Sequence, residues 1–325
     1  MGMTVMVNSD DRDSNAHPTA WRSYPLTIGL PQTNHRNFSE TSLLMEAGHC
    51  FWQALGDAIG RPVSQLRAAD GTPVYAVMYF VEERFPDDRT LGSFRLDDRL
   101  RFHVALRAMG AMATEARVIF DREDRFAHGW DLDEEGTHPA VRFGSVFGGL
   151  QSRTRRLTPA APVNADLSRL PALALEAYPS RLTREAQTSG RLGLIDADWP
   201  SLDLDGPARA TYRIDPDRDT NATGLVYFAN FARMLEAAER IAIPRPSRQE
   251  TFCSAPIRER QVLIRRIAYY GAPGSSDAIA IEVARCSVPE RPGVMALRYR
   301  LSREEDAQLI GLSEALVRLR AAESP

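Results

Sequence analysis

The chain has 325 residues, 43% of them hydrophobic and 26% charged, enough apolar material for two ordinary domains or one large one. A formal net charge of −3 gives no global field favouring nucleic acid or a membrane surface, and no apolar run reaches the roughly 18 residues of a membrane span. All 40 basic residues are arginine, which excludes a Schiff-base or general-base lysine.

Residues 1–20 lack a basic end followed by an apolar run, so they read as a disordered leader and not a secretory signal. Gly2 follows Met1, but Met3 and Thr4 make a poor lipidation site. Cys50, Cys253 and Cys286 form no CxxC pair, which argues against a disulfide framework or zinc site and fits a reducing cytoplasm.

A first strand is expected near 24–29. Leu44, Ala47, Gly48, Phe51 and Leu55 then recur at helical spacing, with Ser39 as N-cap and Gly56 or Gly60-Arg61-Pro62 as the stop. Four strands follow near 73–83, 98–109, 111–121 and 140–151, the clearest alternating Leu100, Phe102, Val104 and Leu106 with polar or small neighbours. Residues 152–206 are rich in proline, alanine and arginine and read as a long connector with short helices against the back of a sheet. The same order then recurs. A strand is expected near 208–214, then a helix through Phe231, Met234, Leu235, Ala238 and Ile241 ending before Pro244. Strands follow near 261–270, 277–288, 294–303 and 308–319.

The two helices share an echo, Leu44-Met45-Glu46-Ala47-Gly48 against Met234-Leu235-Glu236-Ala237-Ala238, which with the matching element order indicates an internal repeat. The economical architecture is α+β. Each repeat curls an antiparallel sheet around a central helix, a double hot dog with domains at 21–151 and 207–321; the competing reading is an unrelated α+β chain with two separate sheets.

Asp219–Arg240 carries the candidate chemistry. Small and polar residues, including Thr223, precede Gly224, where the backbone can approach a ligand or adopt positive φ. Free N–H groups at the start of the following helix would stabilise a thioester oxyanion. Asn230 can add a side-chain amide donor. Thr223 is read evenly as a substrate contact or a helix cap. His49 reads as a core histidine ahead of a general base, and Glu46 and Glu236 as structural carboxylates because they repeat. Ser145 lacks GxSxG spacing and reads as strand surface. The histidines show no metal spacing, and no nucleotide motif occurs, so no metal and no tightly bound cofactor are expected. Arg153, Arg155 and Arg156 form a basic cluster, read as solvated surface or as a dock for an acidic carrier protein or coenzyme A phosphates.

The run Gly224, Leu225-Val226-Tyr227-Phe228 and Asn230-Phe231 resembles the helix-leading motif of hot-dog acyl-CoA thioesterases of the 4-hydroxybenzoyl-CoA type. That motif has an aspartate three residues before the glycine, where this chain has Asn221; Asp219 lies two residues earlier. A neutral amide cannot serve as carboxylate nucleophile or base. Residues 24–320 also resemble the leinamycin-pathway acyltransferase/decarboxylase family, through Gly29-Leu30-Pro31-Gln32, Ser39-Glu40, Leu43–His49 with Trp52, Tyr75-Ala76 and Asn221–Phe231. That resemblance implies decarboxylation of a (methyl)malonyl thioester and transfer of the acyl group from acyl-CoA to an acyl carrier protein. It makes Tyr75 the signature active-site residue, with Tyr79 in reserve. Asn221, Thr223, Gly224 and His49 then form the oxyanion and substrate-binding set. Asn221 would avoid setting one negative charge against another on a dicarboxylic acyl group. Coenzyme A or phosphopantetheine thioesters are thus expected as substrates. Thioester hydrolysis and a non-catalytic acyl-binding role are the alternatives, and pairing into a homodimer stays open.

Overall fold

The computed structural model describes residues 21–34, 37–126, 136–150, 157–172, 178–203, 205–243 and 260–319. The leader, Cys253, Pro244 and the cluster Arg153, Arg155 and Arg156 lie outside these residues. The first repeat runs β1 (Arg22–Thr27), β2 (Thr33–Asn34), β3 (Asn37–Phe38), α1 (Glu40–Ile59), β4 (Val74–Arg84), β5 (Arg99–Met109), β6 (Ala113–Arg122) and β7 (Ala140–Leu150). The connector holds β8 (Leu157–Pro159) and α2 (Tyr178–Ser189). The second repeat runs β9 (Ala208–Arg213), the short α3 (Pro216–Asp219), α4 (Asn230–Ala242), β10 (Arg260–Tyr269), β11 (Ala278–Ser287), β12 (Val294–Arg303) and β13 (Leu309–Leu319).

α1 starts and stops where its chemistry dictates. The Ser39 hydroxyl accepts from the Ser42 N–H at 3.0 Å, and Gly60 ends the helix in the left-handed region at φ 71°. Leu43, Leu44, Ala47, Phe51, Ala54 and Leu55 are all fully buried, so this face of the helix packs into the core against its own sheet.

The main sheet has the order β1-β5-β6-β7-β4-β10-β13-β12-β11-β9, with β8 added on β7. Its two halves, 1-5-6-7-4 and 9-11-12-13-10, are the same path, joined antiparallel where β4 meets β10. The competing picture of two separate sheets is therefore excluded, and the chain is a double hot dog.

The seam carries charge on both faces. Arg265 stands opposite Glu83 and Arg266 opposite Glu82 in the β4–β10 register. On the inner face Arg265 pairs with Glu40 of α1 at 2.5 Å and Glu239 of α4 at 2.8 Å, and Arg260 reaches Glu239 at 2.7 Å and both Glu40 and Glu236 at 3.2 Å. The Tyr299 hydroxyl also donates to Glu239, at 2.5 Å. Glu236 is thereby structural, and Glu46 accepts from Gln32 at 3.1 Å. On the outer face Arg266 pairs with Glu82 at 2.7 Å. There the connector is pinned. Tyr178 donates to Glu82, Arg266 to the Leu192 carbonyl, and the Leu194 and Ile195 N–H groups to Glu314. Ser145, expected at a strand surface, is instead buried and shares a 2.7 Å hydrogen bond with Thr114.

Within this seam burial, and then the neighbouring Glu40 carboxylate, push the Glu83 carboxyl well above the usual range, so it keeps its proton in the fold. Unfolded Glu83 ionises near about pH 4.3, so wild-type stability falls as pH rises from there towards the raised folded value. Glu83→Gln is expected to raise the urea midpoint, by more at about pH 8 than at about pH 4. An equal gain at both pH values would mean that Glu83 is ionised in the native seam.

Candidate functional site

A cavity of about 1100 Å³ lies between α1 of the first repeat and the loop before α4 of the second. From α1 come His49, Trp52, Gln53, Gly56, Asp57 and Gly60, a stripe at i, i+3, i+4, i+7, i+8 and i+11. The core-facing residues of the same helix occupy the other positions. Asp57 accepts from the Tyr24 hydroxyl at 3.0 Å, and burial followed by that carboxylate raises the Tyr24 phenol. His49 is exposed on the cavity wall, not a core histidine.

The opposite wall is the segment from Asp219 to Phe231. Asp219 is fully buried and holds the segment together, accepting from the Asp215 N–H at 2.9 Å, the Tyr212 hydroxyl at 3.0 Å and Arg218 at 3.1 Å. Arg233 adds a pair at 3.5 Å. Burial opposes the Asp219 charge, but Arg218, the Asp215 N–H and Tyr212 outweigh it and hold the carboxyl below its usual range. A buried carboxylate with this many donors is an anchor and does not replace a catalytic aspartate.

The loop then makes a tight turn. Asn221 Oδ1 accepts from both the N–H and the hydroxyl of Thr223, and the Gly224 N–H donates to the Asn221 carbonyl at 2.8 Å. Gly224 has φ 76°, where glycine avoids the Cβ clash. Asn221 and Thr223 line the cavity, but Gly224 does not. The expected oxyanion position at Gly224 is thus corrected twice: its N–H is occupied, and α4 starts only at Asn230. The first N–H groups of α4 are occupied too, since Asn230, Phe231 and Ala232 donate to the carbonyls of Tyr227, Phe228 and Ala229.

Phe228 lines the cavity, and, as for Leu225 and Val226 beside it, nothing among the described residues accepts its backbone N–H; of these three it is the one that touches α1, at Gly48. Its position is fixed from several sides. The Tyr227 N–H donates to the Asp219 carbonyl at 2.9 Å, the Tyr269 hydroxyl donates to the Phe228 carbonyl at 3.3 Å, and the Phe228 ring meets Phe143 edge-on at 5.6 Å. It also lies against Gly48 so closely that a Cβ there would fall 2.8 Å from its ring and 3.0 Å from the Tyr227 hydroxyl. Burial pushes the Tyr227 phenol up to about 12, so it stays a donor.

Two further expectations are corrected. Asn230 is buried outside the cavity lining and its amide donates inward, to the Asp219 carbonyl at 3.0 Å and the Arg218 carbonyl at 3.3 Å. It ties the loop to α4 and is not a substrate donor. Tyr75 lines the cavity at the start of β4, but it pairs with Gly148 and alternates with the core residues Val74 and Ala76. Its side chain therefore lies on the sheet face away from α1. Tyr79 lies on that outer face too, over Gly144 and bonded to Ser180 of α2 at 2.9 Å. No group of three or more His, Cys, Asp or Glu that could hold a metal occurs among the described residues. Nor is any described helix long and apolar enough to cross a membrane. Gln53, Asp57, Arg61, Tyr227 and Tyr269 were missed as site residues; the α1 stripe was the available signal for the first two.

Asp219→Asn is expected to lower stability by about 1.5–3 kcal/mol, the worth of hydrogen bonds to a charged group. The loss should shrink as pH falls below about 3.9, where Asp219 of the unfolded wild-type chain takes up a proton while the folded carboxylate still resists it. Urea melts across pH check this; an unchanged midpoint at neutral pH would remove the anchor role.

No protein-family model matches this sequence, and no curated protein matches it. Solved structures do match its fold. A protein assigned as an oleoyl thioesterase from Lactobacillus plantarum superposes with a TM-score of 0.60 at 11% identity, over 94% of this chain and 98% of the other. A 12:0-ACP thioesterase from Umbellularia californica gives 0.57 at 11% identity, over 92% and 94%. An acyl-ACP thioesterase from Bacteroides thetaiotaomicron gives 0.56 at 9% identity, over 91% and 97%. At these identities the likeness shows the shared double hot-dog fold, over nearly the full length of both partners.

Proposed function

We propose that the chain is an enzyme acting on acyl thioesters of coenzyme A or an acyl carrier protein, and that it hydrolyses them in the cavity between its two repeats. The observation that carries this reading is the cavity between α1 and the Asp219–Phe231 loop, whose lining includes Phe228, a residue with no acceptor for its backbone N–H among the described residues. The likeness in fold to acyl-ACP thioesterases agrees with it.

The chemistry follows from the two walls. The thioester carbonyl oxygen sits at the Phe228 N–H, which strengthens its hydrogen bond as negative charge develops. His49, next to Gly48 on α1, takes a proton from water as the water oxygen bonds to the carbonyl carbon. The tetrahedral intermediate then expels the thiolate, which receives that proton from His49. Asp57, the carboxylate among the lining residues, is engaged by Tyr24 further along the helix.

One observation favours a second reading, decarboxylation and acyl transfer. Asn221 presents a neutral amide to the cavity, and its oxygen is occupied by Thr223. A malonyl-type carboxylate would meet no like charge from that residue. In that reaction the bond from the α-carbon to the carboxylate breaks, carbon dioxide leaves, and the electron pair enters an enolate held at the Phe228 N–H.

Purified protein with acyl-CoA should release free thiol without carrier protein, and His49→Gln should lower kcat by about 10²–10⁴-fold. Absence of thiol release, together with carbon dioxide release and acylation of holo carrier protein from methylmalonyl-CoA, would replace hydrolysis with transfer. Gly48→Ala should displace Phe228 and cut kcat by at least about tenfold under either chemistry. A fully active variant would show that the Gly48–Phe228 contact does not set the reaction geometry.

A further inference from the structure

The cavity extends well beyond the reaction centre. It follows α1 towards its C-terminus and reaches Gly60, Arg61, Pro62, Val63 and Ser64. Arg61 forms no ion pair among the described residues, and its Nε is sealed from solvent with no hydrogen-bond acceptor there. A guanidinium beside an open cavity with one N–H buried and unmatched carries a desolvation cost, which an anion held by its remaining N–H groups would offset. A second guanidinium stands near: Arg169 Nη1 lies 4.0 Å from where a Cβ on Gly60 would be, while its Nε pairs with the exposed Asp166 at 3.2 Å.

Distance identifies the anion. Gly48 touches Phe228, and from Gly48 to the Gly60 cap the helix runs about 18 Å at 1.5 Å per residue. The phosphopantetheine arm has thirteen bonds between its thioester sulfur and its phosphorus, about 16 Å when extended. Between these ends the wall supplies Gln53 and Asp57, groups able to hydrogen-bond the two amides of the arm.

We infer that Arg61 binds the 4′-phosphate of a phosphopantetheine arm lying along the C-terminal half of α1. This rests on the thioester reading above and names the part of the substrate that coenzyme A and carrier proteins share. The acyl group then lies at the other end, beyond Phe228.

The test compares an acyl 4′-phosphopantetheine with the same acyl pantetheine. The wild-type protein should prefer the phosphorylated substrate in kcat/KM by at least about tenfold, the worth of a hydrogen bond between charged groups. Arg61→Gln should bring that ratio close to one by raising KM for the phosphorylated substrate, and Arg61→Lys should restore part of it. A wild-type ratio of one, or a ratio that survives Arg61→Gln, overturns the inference. The variant should impair acyl-CoA and acyl-carrier substrates alike; impairment confined to acyl-CoA would assign Arg61 to the nucleotide phosphates and overturn it too. Calorimetry with 4′-phosphopantetheine and pantetheine separates the two ideas. An Arg61-dependent preference in binding without turnover would sustain this site while removing the hydrolytic reading.

Discussion

The buried charge cluster at the β4–β10 seam is the constraint on which the rest of the molecule depends. Arg260 and Arg265 come from one strand, Glu40 from the start of α1, and Glu236 and Glu239 from α4. Burying such groups is expensive, and a hydrophobic seam of the same shape could be at least as stable. What the cluster supplies is a unique register. A one-residue slip of β10 against β4 would turn Arg260 and Arg265 to the outer face and leave Glu40 and Glu239 without their guanidinium partners.

That register sets the cavity. Because the cluster clamps the first turn of α1 against α4, α1 is presented to the loop that leads into α4. Gly48 then lets Phe228 and Tyr227 close onto the helix. The echo between the repeats has Ala238 where the first repeat has Gly48, so the chain departs from its own symmetry at this contact. Asp219 and Asn230 hold the loop from behind, one through its carboxylate and one through its amide. Both are polar residues buried for geometry, the common fate of polar groups that find enough partners.

The outer face repeats the same logic with the connector. Glu82 and Arg266 at the seam, and Glu314 on β13, give the 178–195 segment its hydrogen bonds. Tyr79 is absorbed into that packing through Ser180. The connector thus covers the back of the seam.

The sequence by itself determined the repeat, the two central helices and the ten strands of the main sheet path, though not the short β2, β3 and β8, because period-two and period-3.6 patterns are local consequences of burial on one face. It also marked the Asp219–Phe231 segment, since a glycine-containing loop before an apolar helix is a local feature. It did not determine which atoms of that segment face a substrate. Gly224 looked like the oxyanion residue until its N–H proved to be occupied within its own turn, and Asn230 looked like a donor until its amide proved to face the loop backbone. Tyr75 was placed by its neighbours in sequence, whereas strand alternation and the Gly148 pairing put its side chain on the other face. Those outcomes depend on hydrogen bonds and strand pairings between residues far apart in the chain. So does the cavity itself, whose walls come from α1 and from a loop about 170 residues later, which only the closure of one repeat upon the other brings together.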